Sequence, residues 1–178
     1  LGSAHAAERP LARFALTAEP PAEVVALLDR ALRETAEADS IDREDEERML
    51  RRLRGDAFDV LATEGYFSPT LAIGTDDSGE ARYVIRLELG RRTHVTEVVI
   101  EFAGELADRS EAVERLRADW ALPVGEPFRD ERWSAAKTRL LNRIRGRDFA
   151  AARIGDAVAL VNEAQATAQL RVEIDSGP

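Results

Sequence analysis

The sequence predicts an α+β fold of two tandem β-α-α-β-β domains, each a three-stranded mixed sheet with two helices on one face. Three observations carry this reading. The runs Tyr83-Val84-Ile85-Arg86-Leu87-Glu88-Leu89-Gly90 and Leu170-Arg171-Val172-Glu173-Ile174-Asp175-Ser176-Gly177 both alternate apolar and polar residues and both stop at glycine. Aligning the two glycines sets a repeat of about 87 residues, close to half of the 178-residue chain. Ahead of each run stand, in the same order, a strand pattern, two apolar stripes at helical spacing and a second strand pattern.

In the first copy, Leu11 to Ala18 reads as a strand with Phe14 and Leu16 on one side. Pro20-Pro21 opens a helix whose stripe is Val24, Val25, Leu28 and Leu32. The carboxylate-rich stretch from Asp39 to Glu47 reads as the entry to a second helix, where acids favour the positive end of the dipole. Leu50, Leu53, Ala57, Phe58 and Leu61 form its apolar face. After the turn Gly65-Tyr66-Phe67 comes the strand Thr70 to Thr75, then the hairpin signal Asp76-Asp77-Ser78-Gly79.

The second copy repeats the order. Val95 to Ala103 is a strand with Val98, Ile100 and Phe102 alternating. Ser110 is the expected N-cap of a helix continued by Val113, Leu116 and Trp120. Trp133, Ala136, Leu140, Leu141 and Ile144 stripe the next helix. The turn Gly146-Arg147-Asp148-Phe149 leads to the strand Ala152 to Asn162, and Asn162-Glu163-Ala164-Gln165 turns into the last strand. The expected boundaries are a disordered tail, or tag and signal remnant, over 1–10, a first domain over 11–91 and a second over 92–178. The joint Gly90-Arg91-Arg92-Thr93-His94 is short, which is expected to restrict reorientation of the two domains.

Composition narrows the function. A net charge of −9 argues against a nucleic-acid surface, where affinity rests on neutralised phosphates, and against adsorption onto anionic lipid. The absence of cysteine excludes disulfides, thiolate metal sites and thiol nucleophiles. No apolar run reaches the ~18 to 20 residues of a membrane-spanning helix. The two histidines, His5 and His94, lie outside any triad pattern. The stretch Asp39 to Glu47 lacks the spacing of a calcium loop, and no glycine-rich phosphate loop occurs. RNA-binding KH domains share consecutive helices against three strands, but neither helix connection here carries their GXXG loop. The sequence therefore predicts no catalytic residue, no metal, no cofactor and no nucleic-acid partner.

The run Glu64-Gly65-Tyr66-Phe67-Ser68-Pro69-Thr70 resembles the Gly-Tyr-aromatic-x-Pro turn of POTRA (polypeptide-transport-associated) domains in TamA-type proteins. Val124-Gly125-Glu126-Pro127-Phe128 and the final Gly177-Pro178 are similar to the same family, whereas Gly146-Arg147-Asp148-Phe149 departs from its Gly-Tyr-Phe turn. The resemblance covers nearly the whole chain from Leu11. It implies the periplasmic part of an outer-membrane assembly protein of the BamA/TamA superfamily, followed by a further POTRA domain and a C-terminal barrel. The implied partners are an inner-membrane-anchored TamB-like protein and unfolded outer-membrane or autotransporter clients. A two-partner secretion transporter or a barrel-less scaffold is the alternative source of such domains. Gly65, Tyr66, Phe67, Pro69, Gly90, Phe149 and Gly177 are expected to build the fold. Gly65 would take a positive φ at the helix end, one of the aromatic pair would plug the helix–sheet layer, and Pro69 would stop the helix.

With the last strand of each copy in the centre, Thr70 to Thr75 and Ala152 to Asn162 become sheet edges with unpaired main-chain groups. Thr70, Leu71 and Ile73 in the first and Ile154, Val158 and Leu160 in the second are the candidate residues for capturing an extended partner by strand addition. Proline at Leu71 or Val158 is the expected disruption.

Overall fold

The computed structural model describes residues 12–16, 20–36, 43–146 and 148–177. The element order is β1 (Ala12–Leu16), α1 (Ala22–Ala36), α2 (Arg43–Thr63), β2 (Thr70–Thr75), β3 (Tyr83–Glu88), β4 (His94–Ala103), a short 3-10 turn (Glu105–Asp108), α3 (Ser110–Ala118), α4 (Asp130–Arg145), β5 (Arg153–Asn162) and β6 (Thr167–Asp175). The strands form two separate three-stranded sheets, β1-β3-β2 and β4-β6-β5. In each, the last strand lies in the centre, parallel to the first and antiparallel to the second. This is the predicted fold class, met twice.

The chain divides into two compact units. One contains the described residues up to Ala62 together with Ser68–Gly90; the other contains Thr63–Phe67 and the described residues from Arg91 onward. In the first unit, Ile85 and Leu87 of β3 are fully buried, and so are Val24 and Leu28 of α1 and Leu53, Ala57 and Leu61 of α2. Ala12, Met49, Leu53 and Ile85 cluster, with Phe14, Leu50, Leu71 and Tyr83 packed around them. In the second unit, β6 turns Ala168, Leu170, Val172 and Ile174 inward against Val113 and Leu116 of α3 and Trp133, Ala136, Leu140 and Ile144 of α4. Its alternate residues Gln169, Arg171 and Glu173 are exposed, as the period of two requires when helices cover only one face.

Two local expectations are corrected. Ser110 is the first helical residue of α3, not its cap; the cap position is Arg109, with no side-chain hydrogen bond to the helix. The preceding 3-10 turn supplies the entry, with Arg109 N–H donating to the Leu106 carbonyl at 3.0 Å. Trp120 lies beyond the end of α3 at Ala118. It is nonetheless buried, its Nε1–H donates to the Leu122 carbonyl at 2.8 Å, and its ring meets Trp133 edge-on with centroids 6.0 Å apart. The predicted ends of the first strand at Leu11 and Ala18, the tail over 1–10, the Leu32 side chain, the 39–42 part of the acidic helix entry, Arg147 and Pro178 lie outside the described residues.

Candidate functional site

The direction of each main-chain group follows from a few bonds outside the regular ladders. In the second unit, the Ser176 N–H donates to the Ala103 carbonyl at 3.0 Å and the His94 N–H to the Ala166 carbonyl at 3.1 Å. In a parallel pair these fix the even-numbered residues of β6 as the ones that bond to β4, leaving the odd-numbered ones for β5. Since Val158 pairs with Arg171, Leu160 with Gln169 and Asn162 with Thr167, those β5 residues carry the ladder. The N–H and C=O groups of Ala157, Ala159 and Val161 therefore point away from the sheet.

The opposite edge, β4, is covered at its start and capped at one carbonyl further along. Val95 donates to the Glu126 carbonyl at 2.9 Å and accepts from the Gly125 N–H at 2.8 Å, and the Thr93 carbonyl accepts from Phe128 N–H at 2.8 Å. Further along, the Arg117 guanidinium donates to the outward Ile100 carbonyl through Nε at 3.3 Å and Nη2 at 3.1 Å. Closure by a loop and by an inward-reaching charge is how natural sheets blunt an edge. On β5 the one comparable device is Asp156, whose Oδ1 accepts from the Ala157 N–H at 2.9 Å. It sits at a bulge where Gly155 and Asp156 together oppose Glu173.

In the first unit, the Asp76 N–H donates to the Arg82 carbonyl at 3.1 Å, one step beyond the Thr75–Tyr83 pair. By the same alternation Leu71, Ile73 and Thr75 present their main-chain groups outward on β2. Among the described residues, the exposed large apolar side chains are Ile73 (38%), Val124 (60%), Val158 (36%) and Leu160 (62%). Three of these four lie on β2 and β5, both strands with outward main-chain groups, so the apolar exposure is concentrated rather than scattered. The structure thus brings Leu71 and Ile73 to one edge and Val158 and Leu160 to the other. Thr70 is turned to its neighbour, donating to Glu88 at 3.2 Å, and Ile154 is partly buried against the core.

The proline expectation needs one correction. Leu71 carries an outward N–H, so proline there removes only a free donor. Val158 bonds inward to Arg171, so proline at that position would break the native ladder; Ala159 is the position that tests the edge.

The remaining motif residues occupy turns and core positions. Gly65 has φ +89°, and a Cβ there would stand 2.2 Å from the Phe128 carbonyl oxygen. Its own carbonyl accepts from Thr93 N–H at 2.8 Å. Phe67 packs into the core of the second unit, 6.0 Å from Phe128, and Tyr66 lies under the Arg92 guanidinium at 5.4 Å. Pro69 sits between that turn and β2, half-buried. Gly90 and Gly177 both have positive φ, and Phe149 is buried beneath Arg109 at 4.8 Å.

Sequence reasoning missed Glu64, a buried carboxylate within the second unit. It accepts from Arg129 Nη2 at 2.9 Å and Arg92 Nη2 at 3.2 Å, while Arg92 Nε donates to its carbonyl at 2.9 Å. No local pattern signals it, because both partners are distant in sequence. Asp76 organises the first unit's hairpin: it accepts from Arg13 Nε at 2.8 Å and Nη2 at 2.9 Å, from the Ser78 hydroxyl and from the Ala81 N–H. These donors, Arg13 first, hold its carboxyl well below the usual range. Among the described residues there is no group of three or more His, Asp or Glu placed to hold a metal ion, and no helix is long and apolar enough to cross a membrane.

Neither a family model nor a curated protein matches the chain. Among solved structures, it is similar to the first two POTRA domains of Omp85 from Anabaena, at 11% identity over 96% of this chain and 95% of that one, with a TM-score of 0.46. It is also similar to the third to fifth POTRA domains of Haemophilus influenzae BamA, at 16% identity over 96% of this chain and 67% of that one, TM-score 0.45. The N-terminal domain of Omp85 from Thermosynechococcus elongatus aligns at 12% identity over 92% of this chain and 61% of that one, TM-score 0.48.

Proposed function

We propose that the chain is a pair of POTRA domains from the periplasmic part of an outer-membrane assembly protein, and that it binds extended polypeptide segments at the free edges of its sheets. The role is one of docking, with no reaction of its own and no cofactor. The observation that carries it is the asymmetry of the second sheet. Its β4 edge is covered at Val95 by the Gly125–Phe128 loop and capped at the Ile100 carbonyl by Arg117, while β5 keeps outward main-chain groups at Ala159 and Val161 beside the exposed Val158 and Leu160. A long edge left open with apolar neighbours is an aggregation hazard unless a partner occupies it. Strand addition takes its affinity from main-chain bonds and so tolerates many sequences, which suits a module that handles varied clients.

The turn Glu64 to Thr70 supports the TamA-type branch, with a TamB-like protein and unfolded outer-membrane or autotransporter segments as the partners. The test is binding of a labelled outer-membrane β-strand peptide, followed by fluorescence anisotropy, to the wild type and to Leu71→Pro and Ala159→Pro. Each proline removes one outward donor and leaves the native ladder intact. Weakened binding in at least one folded variant is expected; equal binding in both refutes the edge mechanism.

A further inference from the structure

We propose that Asp156 sets the register of the strand accepted at β5, and that Val158 and Leu160 select apolar residues at alternate positions of that strand. The inference rests on the edge reading above and adds the residues that give the edge its selectivity. The outward groups of β5 begin at Ala157, but the Ala157 N–H is already bonded to Asp156 Oδ1 at 2.9 Å. An incoming main chain therefore finds its first free donor at Ala159. The available run is the Ala157 carbonyl followed by both groups of Ala159 and of Val161. On the other side of Asp156 the bulge at Gly155 breaks the flat ladder, so pairing has no regular continuation there. The Asp156 carboxylate also repels an acidic residue brought opposite it.

Side chains add a second filter. In an added strand, the residues directly opposite Val158 and Leu160 share their face of the sheet, the face that no helix covers. Leu160 is 62% exposed and Val158 36%, so each has surface left to bury against a cross-strand neighbour. On the helix side, Ala157, Ala159 and Val161 already pack against the core. The partner that fits is an extended segment with apolar residues at alternate positions and no acid near its Asp156 end.

The test uses the full chain and a blocked, fluorescent peptide of about nine residues with alternating valine and threonine, long enough to span the edge. Affinity is read by anisotropy and the footprint by amide hydrogen exchange. Asp156→Ala should extend protection to the Ala157 amide and tighten binding by about threefold to tenfold, the value of one added hydrogen bond. Asp156→Asn keeps an acceptor and should leave the footprint at Ala159 and Val161. The double change Val158→Thr with Leu160→Thr should weaken binding about tenfold, with the footprint unmoved. Binding at β5 that is indifferent to all three variants overturns this inference and leaves the edge reading standing. No protection at β5 in any variant overturns both.

Discussion

Replacing Gly65 by alanine isolates what the turn after α2 demands of its residue. Two costs add. At φ +89° an L-residue sits in the left-handed region, which costs about 1–2 kcal/mol. The new Cβ would also stand 2.2 Å from the Phe128 carbonyl oxygen, and that oxygen belongs to main chain held by the Phe128–Thr93 bond. Relief requires backbone movement, in the range of about 1–3 kcal/mol for overpacking. The expected loss is about 2–5 kcal/mol, a large share of a small unit's stability. Both of the chain's tryptophans, Trp120 and Trp133, lie in the second unit, so urea unfolding followed by their emission reports on the unit that contains Gly65. Gly125→Ala is the matched control, since Gly125 has φ +92° with nothing within 4 Å of its Cβ position. It should lose only the conformational part, about 1–2 kcal/mol. A Gly65→Ala loss no larger than the Gly125→Ala loss refutes the clash; a loss under about 0.5 kcal/mol refutes the whole argument.

Asp76 has a lowered pKa, so its contribution is full above the unfolded value of about 3.9 and is lost as pH falls through the folded value. The protection factors of the β2 and β3 amides, taken against the intrinsic exchange rate at the same pH, should fall on acidification below about pH 4 in the wild type, and Asp76→Asn should be weaker at neutral pH and lack that acid-dependent step. Gly55 lies inside α2 with open space around its Cβ position, so Gly55→Ala should stabilise the first unit by about 0.5–1 kcal/mol, read as slower exchange of the α2 amides. Trp120→Phe keeps a ring against Trp133 but leaves the buried Leu122 carbonyl without its donor. It should cost about 1–3 kcal/mol in urea unfolding of the second unit.

The fold was legible because each central strand is half-covered. Helices bury one face of β3 and of β6, and that forces the alternation on which the repeat was aligned. The helical stripes reappear as core residues for the same reason, Leu53, Ala57 and Leu61 in α2 and Trp133, Ala136, Leu140 and Ile144 in α4. Caps were less legible. Ser110 has the right chemistry for an N-cap, but the 3-10 turn before it sets where the helix begins. The edges were legible only in part. Alternation in β5 tells which side chains share a face, but the bonding direction of each main-chain group depends on register with β6 and β4, a tertiary property. Hence Val158 and Ala159 exchange roles as proline positions. Capping of the Ile100 carbonyl by Arg117 and burial of Glu64 between Arg92 and Arg129 are pairings that local pattern does not reveal. Asp156 did leave a trace: glycine inside a strand pattern, as at Gly155, is a bulge signal.

Residue-resolved amide exchange of the full chain, with and without a saturating outer-membrane strand peptide, tests the strand-acceptor reading most directly. Val158 and Leu160 donate to β6 in the free protein, so their amides should be protected with or without peptide. Ala159 and Val161 should exchange freely alone and become protected when the peptide is bound, giving an alternation of period two along β5. Protection that appears on the helices, or peptide binding that leaves both the β2 and the β5 edge amides exchanging freely, would contradict the account.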